Sequence, residues 1–294
     1  MPEPRYDLLA IDLDGTLLDA TARVSRANIE ALARAREAGI GTVICTGRGL
    51  VECAPILQEI SQCDPVVVAG GSILACPLTR ATLHRFPMDP VLVRDVVGVL
   101  LAHGHAAMIL KDHHVAGYDY LVVCDDLGKV DPVSRWWFDN LGVEVRFAGC
   151  LEEDEHPEHT VRVGVCGTRG ATAAAARELA ESLGTRTVLH HFPAVAPAAH
   201  AARDGPVVIL EAFDRLVSKW TAIRWYAQQR GVAESRIAAI GDEINDVPMI
   251  RHAALGIAMG NAVPEVRGVA RRTTLDNASD GVAHAVDRIL TGEW

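Results

Sequence analysis

Lysine is nearly missing from this chain. Of 28 basic side chains only three are lysine, Lys111, Lys129 and Lys219, so each of them asks for a reason, while the excess of arginine reads as a compositional bias. A surplus of positive charge is missing too. The 38 acidic residues leave a net charge of −10, which argues against a nucleic-acid surface. No run approaches the roughly 18 consecutive apolar residues of a membrane span. The opening "MPEPRYDLLAIDLDG" lacks the basic flank, apolar core and small-residue cleavage site of a signal peptide, so a cytoplasmic protein without a membrane segment is expected. The seven cysteines (45, 53, 63, 76, 124, 150, 166) form no C-x-x-C and pair with no histidine motif. They are expected to be reduced and mostly buried, not disulfides or zinc ligands. Also absent are G-x-G-x-x-G, H-E-x-x-H, internal repeats and low-complexity linkers.

What is present is an alternation of apolar runs and amphipathic stretches over 294 residues, enough for one large domain or two ordinary ones. The runs at 6–12, 41–47 and 65–71 read as strands, with a helix over 25–40 capped by Ser25 and stopped at Gly39. Continuous Val and Ile, with no polar alternation, mark strands covered on both faces, as in a parallel sheet. The far end repeats the pattern: strands at 206–212, 236–242 and 255–260, helices at 218–231, 244–253 and 279–290. Between them lie half-polar strands (106–110, 114–123, 160–166, 186–190), helices (89–103, 132–141, 171–183) and the acidic loop "LEEDEHPEH" at 151–159. That pattern suggests a mixed or antiparallel sheet with one covered face. The expected organisation is an α/β protein: a Rossmann-like, doubly wound parallel sheet from 1–84 and 205–294, interrupted by a second α/β domain at 85–204.

In such sheets ligands sit beyond the carboxyl ends of the strands. The first strand runs into Asp12 and Asp14, followed by Gly15 and Thr16; the second into Thr46, Gly47 and Arg48. Lys219 stands near the start of a late helix, and the strand at 236–240 leads to Gly241, Asp242, Asn245 and Asp246. Two like charges spaced by two raise each other's pKa and repel, so they call for a cation or a reacting group between them. Mg²⁺ takes oxygen ligands from one or two carboxylates plus phosphate and water. Asp12 and Asp242, with a main-chain carbonyl at Asp14, would supply the protein's share. Thr46 and Lys219 offer a hydroxyl and a positive charge to phosphate oxygens, and turn N–H groups at Gly15 and Gly47 can cradle them. An aspartate can act as nucleophile on phosphorus, and a neighbouring one can handle the proton.

D-L-D-G-T-L (12–17), T-G-R (46–48), the isolated Lys219 and G-D-E-I-N-D (241–246) resemble the four signature motifs of the haloacid dehalogenase superfamily. The tail "LGIAMGNAVPEVRGVA…NASDGVAHAV" is similar to its Cof-type phosphatase branch, as is the placement of the insert between the second and third motifs. The resemblance implies a large α/β cap of the C2 type, Mg²⁺, and hydrolysis of small phosphate esters, often sugar phosphates. It implies Asp12 as nucleophile, Asp14 as acid and base, and Thr46 and Lys219 as phosphate binders. Asp242 becomes a metal ligand, Asn245 helps to hold phosphate, and Asp246 orients the third motif or a metal-bound water. Two positions depart from the branch: "AGGS" (69–72) stands where Asn-Gly is common, and Trp220 follows Lys219 where Gly is usual.

The partner expected is a small phosphorylated metabolite, with no nucleic acid and no membrane, for a monomer or small homo-oligomer. Arg48 is a candidate for pointing at the substrate, and choice among esters is expected from the insert. A phosphosugar mutase on the same residues, or a regulator that binds a phosphorylated metabolite without turnover, remain open alternatives. The histidines at 113–114, 156, 159 and 190–191 are read as structural or substrate contacts and not as a metal site. "RWWF" (135–138) is read as packing.

Overall fold

The computed structural model describes residues 4–193 and 207–294, which fall into two compact units, 1–84 with 217–294 and 85–216. The first unit begins with β1 (Leu8–Asp12), all five residues of which are buried, as a run without polar alternation requires. Helix α1 (Arg26–Glu37) starts where Ser25 Oγ accepts the Asn28 N–H at 3.1 Å and ends before Gly39, whose φ of +86° is left-handed. Then follow β2 (Gly41–Cys45), α2 (Leu50–Glu59), β3 (Val66–Val68) and two short strands not anticipated above, β4 (Ile73–Ala75) and β5 (Thr82–Arg85).

The second unit holds α3 (Pro90–Ala102), β6 (Ala107–Lys111), α4 (His113–Ala116), β7 (Tyr120–Val123), α5 (Pro132–Asn140) and β8 (Val145–Ala148). It continues through β9 (Thr160–Thr168), α6 (Arg169–Leu183), β10 (Thr187–Pro193) and β11 (Val207–Asp214). The strand order is β10-β11-β9-β6-β7-β8, antiparallel except for the β7–β8 pair. Leu92, Val96 and Leu100 of α3 and Ala175 and Leu179 of α6 share one apolar core with Ile109, Val163, Val165 and Leu210 of the sheet.

Three expectations change here. The strand read at 206–212 as part of the parallel sheet is β11, which pairs with β9 and β10 in the second unit. The second unit therefore runs to Leu216, while the boundary expected at 204/205 lies outside the described residues. The stretch 114–116, read as the start of the strand 114–123, belongs to the helical turn His113–Ala116 capped by Asp112. The edge strands β8 and β10 keep exposed residues, but the inner strand β9 is buried on both faces from Thr160 to Gly167. Its polar Arg162 pairs with Glu211 at 2.7 Å and donates to the Tyr120 hydroxyl at 2.8 Å, so pairing, not water, satisfies it.

Back in the first unit come α7 (Lys219–Gln229), β12 (Ile237–Gly241), α8 (Val247–His252), β13 (Leu255–Ala258), α9 (Pro264–Arg267), β14 (Arg272–Thr273) and α10 (Gly281–Leu290). The sheet order is β14-β13-β12-β1-β2-β3-β4-β5, parallel from β14 to β3 and antiparallel at β3–β4. Strand β1 lies between β2 and β12, so chain order reverses beside it, which is where open sheets bind ligands. Register aligns Asp12 with Cys45 and Ile11 with Ile240, bringing Asp12, Thr46 and Asp242 to one edge. Among the described residues, no helix is long and apolar enough to cross a membrane.

Candidate active site

Lys219 is fully buried at the first position of α7 and is the charge around which this edge is organised. Its Nζ donates to Asp12 Oδ1 and, at 2.6 Å, to Asp246 Oδ1. Burial alone would lower the pKa of this ammonium; the carboxylates of Asp12 and Asp246 more than reverse that and raise it, so it stays charged. Access for α7 comes from Gly71, the glycine that "AGGS" shares with Asn-Gly; the departure is Gly70 before it. At Gly71, with φ +112°, a Cβ would lie 2.2 Å from the Ser218 carbonyl, so only glycine lets this loop touch the peptide before Lys219. Trp220, the other departure, is buried and stacks on His252 with ring centroids 5.9 Å apart. It anchors the same turn.

The far side of Lys219 is held by Asp246, which has no exposed surface. Its Oδ2 accepts the N–H groups of Asp242 at 2.9 Å and Glu243 at 3.1 Å. This carboxylate therefore fixes both the lysine and the turn that carries Asp242. Asp242 Oδ1 accepts from the Thr16 hydroxyl at 2.7 Å, and its Oδ2 from Asn261 Nδ2 at 3.2 Å. Asn261 also donates to the Gly15 carbonyl at 2.8 Å, tying the loop after β13 to the loop after β1. Sequence reasoning passed over Asn261, although it too follows the carboxyl end of a core strand, which was the available signal.

Asp12, Asp242 and Asp246 offer oxygens that all lie within 4.8 Å of one another, with only one ammonium among them. Burial, then Asp246 and Asp242, push the Asp12 carboxyl well above its usual range against the pull of Lys219. Burial chiefly raises Asp242 as well, to about 6. Asp12 Oδ2 is buried and has no hydrogen-bond partner. A buried, unpaired carboxylate oxygen in a negatively charged cluster is the donor that a hard cation takes, so the residues present fit a divalent metal.

The other expected residues lie as follows. The Thr46 side chain is buried; its Oγ1 accepts the Arg48 N–H at 3.1 Å and keeps its own proton to donate. The Gly15 loop turns with φ +80°, and a Cβ there would lie 2.3 Å from Asp242 Oδ2. Gly47 is half-buried beside Thr46. The Asn245 amide oxygen is buried without a partner. The Asp14 side chain is outside the cluster, paired with Arg48, which leaves only its main chain for a metal.

The profile of the haloacid dehalogenase-like hydrolases matches residues 9–286. This chain belongs to that family. The expected assignment to its Cof-type branch holds, and with it the enzyme class, a phosphoric monoester hydrolase. The chain is 26% identical over 290 residues to pyridoxal phosphate phosphatase YbhA of Escherichia coli (strain K12), covering 95% of this chain and 97% of the relative. It is 25% identical over 286 residues to 5-amino-6-(5-phospho-D-ribitylamino)uracil phosphatase YitU of Bacillus subtilis (strain 168), covering 96% of each. In fold it is similar to a haloacid dehalogenase-like hydrolase from Bacteroides thetaiotaomicron, with a TM-score of 0.74, 23% identity, and coverage of 97% and 99% of the two chains. The haloacid dehalogenase-like core thus accounts for the α/β sheet and for the edge at which the acids gather.

Proposed function

We propose that this hydrolase is a Mg²⁺-dependent phosphatase that cleaves small phosphate monoesters, with sugar phosphates as the expected class, through an aspartyl-phosphate on Asp12. The observation that carries the reading is the division of labour on one carboxylate: Asp12 Oδ1 is held by Lys219, while Oδ2 is buried and unpartnered. Mg²⁺, held by Asp12 and Asp242 with the Asp14 carbonyl, supplies positive charge that offsets the acids and the incoming phosphate.

The rest is done by the chain. An Asp12 oxygen forms a bond to phosphorus as the ester P–O bond breaks, and Asp14 gives its proton to the leaving alkoxide. Asp14 then takes a proton from water as that oxygen attacks phosphorus; the acyl-phosphate bond breaks and inorganic phosphate leaves. The Thr46 hydroxyl and the Lys219 ammonium meet phosphate oxygens, joined by the N–H groups of Gly15 and Gly47, by Arg48 and by Asn245. Asp246 acts through Lys219 and the Asp242 turn, as a positioning residue. The two named relatives act on different phosphate esters, in keeping with a shared phosphate site and a variable selector, which we place in residues 85–216.

The test is release of p-nitrophenol from p-nitrophenyl phosphate with and without Mg²⁺ between pH 5 and 9, then a panel of sugar, polyol and nucleotide monophosphates. Metal-dependent release supports the reading. Its absence at every pH would favour a non-catalytic binder, and phosphoryl return to sugar would mark a mutase.

A further inference from the structure

The acidic loop of the second unit holds a cluster that the phosphatase chemistry does not use. Residues Pro157–His159 form a 3-10 turn, in which residues three apart eclipse, so His156 and His159 stand on the same side. Their rings face each other with centroids 5.7 Å apart and an interplanar angle of 28°. One ligand atom from each of His156, Glu158 and His159 can be chosen so that all three lie within 4.8 Å of one another.

We propose that His156, Glu158 and His159 bind a transition-metal cation of the borderline class of Zn²⁺, at a site separate from the Asp12–Asp242–Asp246 cluster. Two imidazoles and a carboxylate are a donor set for such ions and a poor one for Mg²⁺. Glu158 Oε1 and His159 Nε2 are already 3.2 Å apart, close to the ~3.3 Å separation that tetrahedral bonds of about 2.0–2.1 Å impose. The remaining distances close by turning the exposed Glu158 side chain and one imidazole. With Nε2 beside Glu158 as the donor atom, His159 takes the Nδ1–H tautomer, and no hydrogen bond to the buried Nδ1 competes with it.

The frame around the cluster is set in advance. The His156 N–H donates to Asp154 Oδ1 at 3.0 Å, and the His156 carbonyl accepts from Lys111 Nζ at 3.0 Å and from the His159 N–H at 3.0 Å. The His159 carbonyl accepts the Asp112 N–H at 3.0 Å. Lys111, with a fully buried side chain, is neutralised by Asp154 at 2.5 Å, so its charge does not oppose a cation next to it. This also gives the isolated Lys111 its reason: it pins the turn. Open coordination positions remain for water, and the acids of 151–159 favour cation capture.

The full-length protein, stripped of metal and then held in saturating Mg²⁺ to fill the carboxylate cluster, is titrated with Zn²⁺ against a chromophoric chelator at pH 7.5. One equivalent is expected to bind, and the paired substitution His156→Gln, His159→Gln should weaken that binding by at least ~100-fold. Asp242→Asn should leave the same equivalent in place. Imidazole ¹⁵N shifts in the unmodified protein provide a readout that does not depend on how any variant folds: Zn²⁺ should move the His156 and His159 resonances together. Failure of the wild-type chain to bind Zn²⁺ would overturn the proposal. So would unchanged affinity in the paired variant, or stationary histidine resonances.

Discussion

Arg48 grips the Asp14 carboxylate with both arms of its guanidinium, Nε donating to Oδ2 at 3.0 Å and Nη2 to Oδ1. A carboxylate so paired is an acceptor only, whereas the proposed mechanism needs it to carry a proton to the leaving oxygen. Arg48 must therefore let go when substrate arrives, and an incoming phosphate is the obvious alternative partner for a guanidinium. Arg48→Ala should raise KM for p-nitrophenyl phosphate while changing kcat by less than about tenfold, because a contact made equally in ground and transition states affects binding alone. Asp14→Asn should instead lower kcat by about 10²- to 10⁴-fold. Steady-state kinetics on the two variants separates them; equal losses of kcat would mean that Arg48 acts through Asp14.

Asp12→Asn should abolish turnover without destabilising the fold. In the metal-free protein three buried acids share one lysine, and removing one negative charge relieves the cluster by an amount on the order of 1 kcal/mol. Thermal melts in chelator should show the variant as stable as the parent or more so. Near-native activity in the variant would contradict nucleophilic attack by Asp12.

Mg²⁺ should raise the melting temperature reversibly. A ligand at one hundred times its Kd adds about 2.7 kcal/mol, or roughly 4–5 °C for a chain of this size. Chelation should undo the shift, and Asp242→Asn should not show it. A shift of the same size in that variant would move the metal away from this carboxylate.

Gly15→Ala tests the turn itself. A left-handed residue that gains a side chain costs about 1 kcal/mol, and here the new Cβ would lie 2.3 Å from Asp242 Oδ2. The expected outcome is a folded protein that has lost most of its Mg²⁺ response and activity, read by calorimetry and p-nitrophenyl phosphate assay. Full activity would show that the Asp242 carboxylate can move without consequence.

Replacing residues 85–216 by the corresponding unit of the pyridoxal phosphate phosphatase should shift the preferred ester towards that relative's substrate and leave Mg²⁺ dependence as it was. The exchange uses the boundaries of the structural unit, because a cut at 204/205 would remove β11 from the sheet it completes. If preference stays with the core, the division between phosphate site and selector is mistaken.

Much of this was legible in the sequence because it is local. An apolar run such as "LLAID" needs cover on both faces wherever it lies, and a polar residue directly after it falls at a sheet edge. Asp12, Thr46 and Asp242 could therefore be placed at one edge before any coordinate was known. What remained hidden depends on partners far along the chain. "VVILEAFD" has the same apolar character in either sheet, and only its pairing with β9 and β10 decides its unit. Spacing within a motif says nothing of whether Asp14 turns towards the acidic cluster or towards Arg48, nor that Asn261 reaches back across 246 residues to Gly15. In the same way Trp220 reads as a departure from a pattern until His252 is seen to fill the space beside it. Sequence determined the longer elements, the sheet edge and the residue types gathered there, since backbone geometry and burial act within a few residues. Tertiary structure decided which side chains pair, because hydrogen bonds and charge balance are settled between segments that meet only in the fold.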